Sequence, residues 1–147
     1  EATTSMKAEA KLVLGKGMIE DSLLNTANSY FKAVSSTNKN ELGAEAKYLE
    51  AWCYFKMDSL EKCKATIIAF NKEFSGYDFW LGKSLILLSD YYMAKNDAFQ
   101  AKSTLNSVIA NFTDERILSE AREKLANIER KDTRLNNIQN IAPGSGK

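Results

Sequence analysis

The sequence predicts an all-α fold, a stack of three helix-turn-helix units closed by a capping helix. Three observations carry that expectation. The tetrapeptide Ala-Glu-Ala-Lys occurs at residues 8–11 and again at 44–47, and the residues after both copies keep helical step. The interval is 36 residues, and a third unit aligned through its apolar positions starts at Gly82, 38 residues further on. Spacings in the thirties with two helical stretches per unit are the mark of a helix-turn-helix solenoid. Small and large residues also coincide at fixed places. Gly15, Ala51 and Ser89 align, as do Ala27, Cys63 and Ala101, followed by Phe31, Ile67 and Leu105 and then by Val34, Phe70 and Val108.

The elements follow in order. Paired helices are predicted over 6–16 with 21–35, 41–56 with 59–74, and 77–95 with 98–111, and a single helix over 114–131. Units then span about 8–43, 44–81 and 82–113. Two helices of a unit approach closely only where both present a small side chain, so Gly15, Ala51 and Ser89 should face Ala27, Cys63 and Ala101. Asp58 with Glu61, and Asp97 with Gln100, have capping-box spacing at two helix starts, and Gly76 suits the turn after the fourth helix. In the seventh helix Ile117, Ala121, Leu125 and Ile128 form one apolar stripe with charge elsewhere, as a terminal cap requires. Residues 132–147 read as a polar tail. The first helix, with contiguous Leu12, Val13 and Leu14, has no such polar face, which suggests a fragment of a longer repeat protein.

Leu14-Gly15 with a large residue three on, then Ala27 and Phe31, resembles the tetratricopeptide repeat, whose outline is W-x2-L-G-x2-Y, A-x3-F and a closing Pro. Leu85, Leu88, Ser89, Tyr92, Ala101 and Leu105 repeat the outline in the third unit. The second departs, with Lys47 and Glu50 at apolar places and Tyr48 and Leu49 available to pack instead. No unit has the closing proline. The resemblance covers roughly residues 6–130 and implies a right-handed solenoid of three such repeats. Residues 43–112 resemble envelope-associated tetratricopeptide proteins of Bacteroidetes-type bacteria, which implies a periplasmic or cell-envelope location.

Binding in this family uses the concave face, lined by the first helix of each pair. That places Lys16, Tyr48, Trp52, Phe55, Lys56, Lys83, Ile86, Asp90 and Met93 in a groove. Tyr48, Trp52 and Phe55 stand at i, i+4 and i+7 on one helical face, and Trp and Tyr are enriched at binding hot spots. The same stripe equally suits a core, with Trp52 packed on the neighbouring unit. The Lys and Asn clamp with which some members hold a terminal carboxylate is not reproduced, since Leu12 with Lys16, Tyr48 with Trp52 and Ile86 with Asp90 occupy its places. The expected function is a protein-interaction scaffold for a peptide or helical segment. Self-association through the apolar N-terminal end is the second expectation.

Catalysis, metals and cofactors are not expected. The chain has no histidine, no phosphate loop and no clustered metal-ligand set. Cys53 and Cys63 cannot make a zinc site alone, and Cys63 at a packing position reads as a small hydrophobe. Lys plus Arg number 20 against 19 Asp plus Glu, a net charge of +1, so nucleic acid is not an expected partner. No run of about eighteen apolar residues exists to span a membrane.

Overall fold

The computed structural model describes residues 3–141, and helix follows helix through all of them: α1 (Thr4–Glu20), α2 (Leu24–Thr37), α3 (Glu41–Lys56), α4 (Leu60–Glu73), α5 (Asp78–Ala94), α6 (Ala98–Asn111) and α7 (Glu115–Ile141). The all-α expectation holds, with no strand among the described residues. The third and sixth helices coincide with their predicted bounds. The seventh does not stop near residue 131 but runs to Ile141, so the expected polar tail is helical that far. Polar residues such as Asn136, Asn137 and Gln139 do not break a helix as Pro or Gly would. The remaining tail residues, 142–147, lie outside the described region.

Each helix packs on the next, and α1 also touches α3, α3 touches α5 and α5 touches α7. Among the described residues α2 and α4 make no such contact, nor do α4 and α6. The odd-numbered helices therefore converge on one side while the even-numbered ones stand apart on the other. Apolar burial follows the aligned positions. Ala27, Cys63 and Ala101 are fully buried, and Phe31, Ile67, Leu105, Val34, Phe70 and Val108 nearly so. Gly15, Ala51 and Ser89 are buried too. A Cβ on Gly15 would stand 2.6 Å from Cε1 of Phe31, so the aromatic ring, rather than Ala27 alone, is what demands the small residue.

The connections inside the three pairs share one backbone design. Ser22, Asp58 and Asn96 have φ of 61°, 59° and 58°, at the same intervals of 36 and 38 residues as the side-chain alignment. Each ends a helix in a Schellman motif. The amide of Ser22 donates to Ile19 O and that of Leu23 to Met18 O, and Asp58 and Ser59 do the same to Phe55 O and Tyr54 O, as do Asn96 and Asp97 to Met93 O and Tyr92 O. This corrects the expected role of Asp58. It closes α3 in a left-handed conformation and does not cap α4, whose N-cap is Ser59 without a side-chain hydrogen bond. Asp97 does cap, its carboxylate accepting from the Gln100 amide at 3.0 Å. Gly76 sits after α4 but without positive φ.

Lys47 and Glu50, the polar departures of the second unit, face each other on α3 at 3.4 Å. Glu50 also accepts from Ser35 of α2. Leu49 packs into the cluster built on α1 and α2, and Tyr48 packs toward α4 and α5.

The stripe Leu42, Ala46, Leu49 and Cys53 is the face with which α3 meets α1 and α2. Its counterparts on α5 include Ser84, Leu87 and Tyr91, all buried.

Candidate functional site

Where the odd-numbered helices converge, a cleft of about 220 Å³ opens, bounded by Tyr48, Trp52, Phe55 and Lys56 of α3, by Lys83, Ile86, Leu87 and Asp90 of α5, and by Glu120 and Lys124 of α7. Helical spacing explains the α3 wall, because residues four and three apart stack on one face. Tyr48 is fixed from outside the cleft by Trp80, ring centroids 5.7 Å apart. Trp52 packs against two apolar clusters at once, one with α1 and α2, the other with Ala51 and Cys63. It is therefore a core residue on one side and a cleft residue on the other. Phe55 joins the second cluster, and Ile86, nearly fully buried, belongs to the cluster on α6 and α7.

Charges in the cleft are arranged in pairs. Lys83 donates to Glu120 at 2.9 Å and lies 5.6 Å from the Tyr48 ring centroid. Lys124 donates to both oxygens of Asp90, at 2.8 and 2.9 Å. Lys56 has no carboxylate partner among the described residues and rests over Trp52, 5.4 Å from its centroid. Burial pushes the Tyr48 phenol well above the usual tyrosine range, and the carboxylates of Glu120 and Asp90 push it further. The phenol is a neutral hydroxyl at any ordinary pH. One cation over an indole, with two ion pairs opposite and Ile86 and Leu87 nearly buried behind them, is a mostly polar surface that can receive one negative charge against the edges of Trp52 and Phe55.

Of the residues expected in a groove, Tyr48, Trp52, Phe55, Lys56, Lys83, Ile86 and Asp90 share this cleft. Lys16 does not line it and pairs with Glu45 across the α1/α3 contact. Met93 packs with the apolar cluster of α6 and α7. Leu12, which stands at one of the family's clamp positions, is core. Glu120, Lys124 and Leu87 were not foreseen. The first two stand at i, i+4 on the charged side of α7, which in sequence reads as a solvated face. Only their spacing from Lys83 and Asp90, one repeat earlier, could have signalled the pairing.

Larger clefts elsewhere offer less. The one of about 500 Å³ between α2, α3 and α4 is lined by Lys32, Lys39, Lys47, Glu50 and Glu73. Its lysines are engaged, Lys32 with the Tyr54 hydroxyl, Lys39 with Glu73 and Lys47 with Glu50. Cys53 and Cys63 are free thiols buried in different apolar clusters. Burial pushes both up to about 12, with Glu50 adding to the effect on Cys53 and Asp90 on Cys63. Both thiols are therefore protonated, and not poised as nucleophiles. Among the described residues no three potential metal-ligand side chains gather, and no helix is long and apolar enough to cross a membrane. Compared with protein-family models, with curated proteins and with solved structures, the chain gives no match.

Proposed function

We propose that the chain is a right-handed, tetratricopeptide-like helical-repeat scaffold that binds a peptide or helical segment of another protein in the α3/α5/α7 cleft. The observation that carries this reading is the convergence of α1, α3, α5 and α7 on one side, with no contact among the even-numbered helices. A curved stack brings its inner helices together and spreads its outer ones. The left-handed turn residues at intervals of 36 and 38 support the same repeat. The cleft is smaller than the roughly 300–1,000 Å³ of small-molecule sites. Its lining is mostly polar, so it receives a carboxylate of a longer ligand at Lys56, with the edges of Trp52 and Phe55 beside it for an adjoining apolar side chain. Lys83, already held by Glu120, positions Tyr48 instead of meeting the ligand. A larger cell-envelope assembly is the setting proposed for this binding, and the resemblance of residues 43–112 to envelope-associated repeat proteins is its support.

The test is a library of helical and extended peptides, each with one aromatic or aliphatic anchor and varied acidic positions, titrated against the native chain with Trp fluorescence as the readout. Peptides with an acid beside the anchor should bind best. Lys56→Glu should weaken them about tenfold, the loss of about 1.4 kcal/mol that one desolvated charge pair supplies, without lowering the melting temperature. A library that yields no binder at millimolar concentration, or binders indifferent to Lys56→Glu, would overturn the reading.

A further inference from the structure

The cleft of about 500 Å³ between α2, α3 and α4 offers a peptide little, and we propose that it binds a different ligand, a small hydroxylated anion such as a sugar acid or a sugar phosphate. The gap exists because α2 and α4 do not touch among the described residues, which leaves one side of α3 as its floor. Two charges stand on that floor. Lys47 and Glu50 have side chains 14% and 6% exposed, at places where the third unit has Leu85 and Leu88, and Lys32 at the rim becomes Ile68 one unit later. Leu85 and Leu88 pack into apolar clusters, so the repeat itself does not call for charge here. A buried ion pair is no gain over well-packed apolar residues. Departures of this kind from the local packing rule collect at functional sites.

The lysines of this cleft are engaged, but loosely. Lys32 reaches the Tyr54 hydroxyl at 3.4 Å, Lys39 reaches Glu73 at 3.3 Å and Lys47 reaches Glu50 at 3.4 Å, whereas Lys83 and Lys124 of the α3/α5/α7 cleft hold their carboxylates at 2.9 and 2.8 Å. Only Lys39 has a shorter bond, to the Ser35 carbonyl at 3.0 Å. Charge-assisted hydrogen bonds are strongest at about 2.7–2.9 Å, so a ligand can take over the longer ones. Lys32, Lys39 and Lys47 against Glu50 and Glu73 leave one positive charge in surplus, and Lys62, 5.8 Å from the Tyr54 ring centroid, adds to it from outside the lining. That surplus calls for one anionic group. Glu50 selects the rest of the ligand. Its Oε2 accepts from Ser35 and faces Lys47, while its Oε1 has no partner among the described residues and, unlike Asn28 Oδ1 and Ser84 Oγ, is not sealed from solvent. An ammonium group approaching that oxygen would be repelled by three lysines. A neutral hydroxyl is not, and it donates to the free oxygen. Ala33 is the one apolar side chain among the described residues of the lining, which suits a polar ligand, and the volume falls within the roughly 300–1,000 Å³ of small-molecule sites.

Isothermal titration calorimetry of the full chain with glucuronate and with a glucose phosphate tests this, with glucose and inorganic phosphate as paired controls. At least one of the two charged sugars should bind with a dissociation constant near or below about 1 mM, and each control about tenfold more weakly. Glucuronate ahead of the glucose phosphate assigns a carboxylate to the lysines and the reverse order a phosphoryl group, and either order upholds the proposal. Lys32→Ala removes an exposed side chain and should weaken binding about tenfold, as the loss of one hydrogen bond to a charged group does. Lys47→Leu with Glu50→Leu should abolish binding in a chain that melts close to or above the native one, which separates the loss of the ligand from any loss of the fold. Inorganic phosphate binding as tightly as the glucose phosphate would mean an adventitious ion only. That result, an absence of binding at about 10 mM of either charged sugar, or binding unchanged in the double variant would overturn the proposal. None of these residues lines the α3/α5/α7 cleft, so this proposal and peptide binding at Lys56 can each fail alone.

Discussion

Lys47 and Glu50 of α3 meet at 3.4 Å with side chains only 14% and 6% exposed, an ion pair at places where the third unit has Leu85 and Leu88. Both charges have left water for the α2/α3 contact, and their attraction must offset that desolvation. Removing one partner by Lys47→Leu strands a buried carboxylate and should cost about 3 kcal/mol in chemical denaturation. The double variant Lys47→Leu with Glu50→Leu should recover most of that loss or exceed the native stability. A single substitution as harmless as the double would mean that Ser35, which also donates to Glu50, suffices to hold the carboxylate.

The three left-handed turn residues differ in how well they tolerate their conformation. Asp and Asn enter this region more readily than Ser. Ser22→Gly should therefore raise stability, by up to about 1 kcal/mol, and Asp58→Gly and Asn96→Gly by less. Leu23 follows as an N-cap with no side-chain hydrogen bond, where Asp97 of the third unit has one. Leu23→Asp should add about 1 kcal/mol. Thermal melts of the four variants rank these effects.

Ser84 is fully buried and its hydroxyl has no hydrogen-bond partner among the described residues. Its counterpart one unit earlier is Ala46, equally buried. Ser84→Ala should raise stability by roughly 1 kcal/mol, since an unsatisfied buried hydroxyl costs about 1–3 kcal/mol, and Ala46→Ser should lower it by a similar amount. Urea midpoints at unchanged slope are the measurement.

Three weak acids, the buried Cys53 and Cys63 and the half-buried Tyr48, set the alkaline behaviour. Cys53 and Cys63 rise from 9.0 to about 12 on folding, and Tyr48 rises above its ordinary 10.0. In the unfolded chain these groups lose protons at lower pH than in the folded one. The stability they contribute is thus complete below about pH 9 and declines as pH rises through 9 to 12. Urea midpoints should hold level from pH 7 to 9 and fall by pH 10.5, less steeply in Tyr48→Phe. At pH 8 a thiol reagent should label neither cysteine until the chain unfolds.

The repeat was legible in the sequence because packing writes it in residue size. Ala27, Cys63 and Ala101 are small where helices touch, and that pattern needs no knowledge of the turns. The turns themselves were misread at Asp58, because a short polar connection offers the same residue as the end of one helix or the start of the next. Only the hydrogen bonds of Asp58 and Ser59 to Phe55 and Tyr54 decide. The α3 and α5 walls of the cleft could be found from helical spacing. Glu120 and Lys124 could not, because a charged i, i+4 pair looks the same whether it faces water or a neighbouring helix.

The restriction of contacts to first and second neighbours along the chain has a kinetic consequence. No helix waits for a distant partner, so loop-closure entropy is small at every step and folding should take microseconds to milliseconds, as in other helical proteins of low contact order. It should also be divisible. Among the described residues α5, α6 and α7 make no contact with α1 or α2, so damage at Gly15 or Phe31 should loosen amide protection at one end and leave the other largely intact.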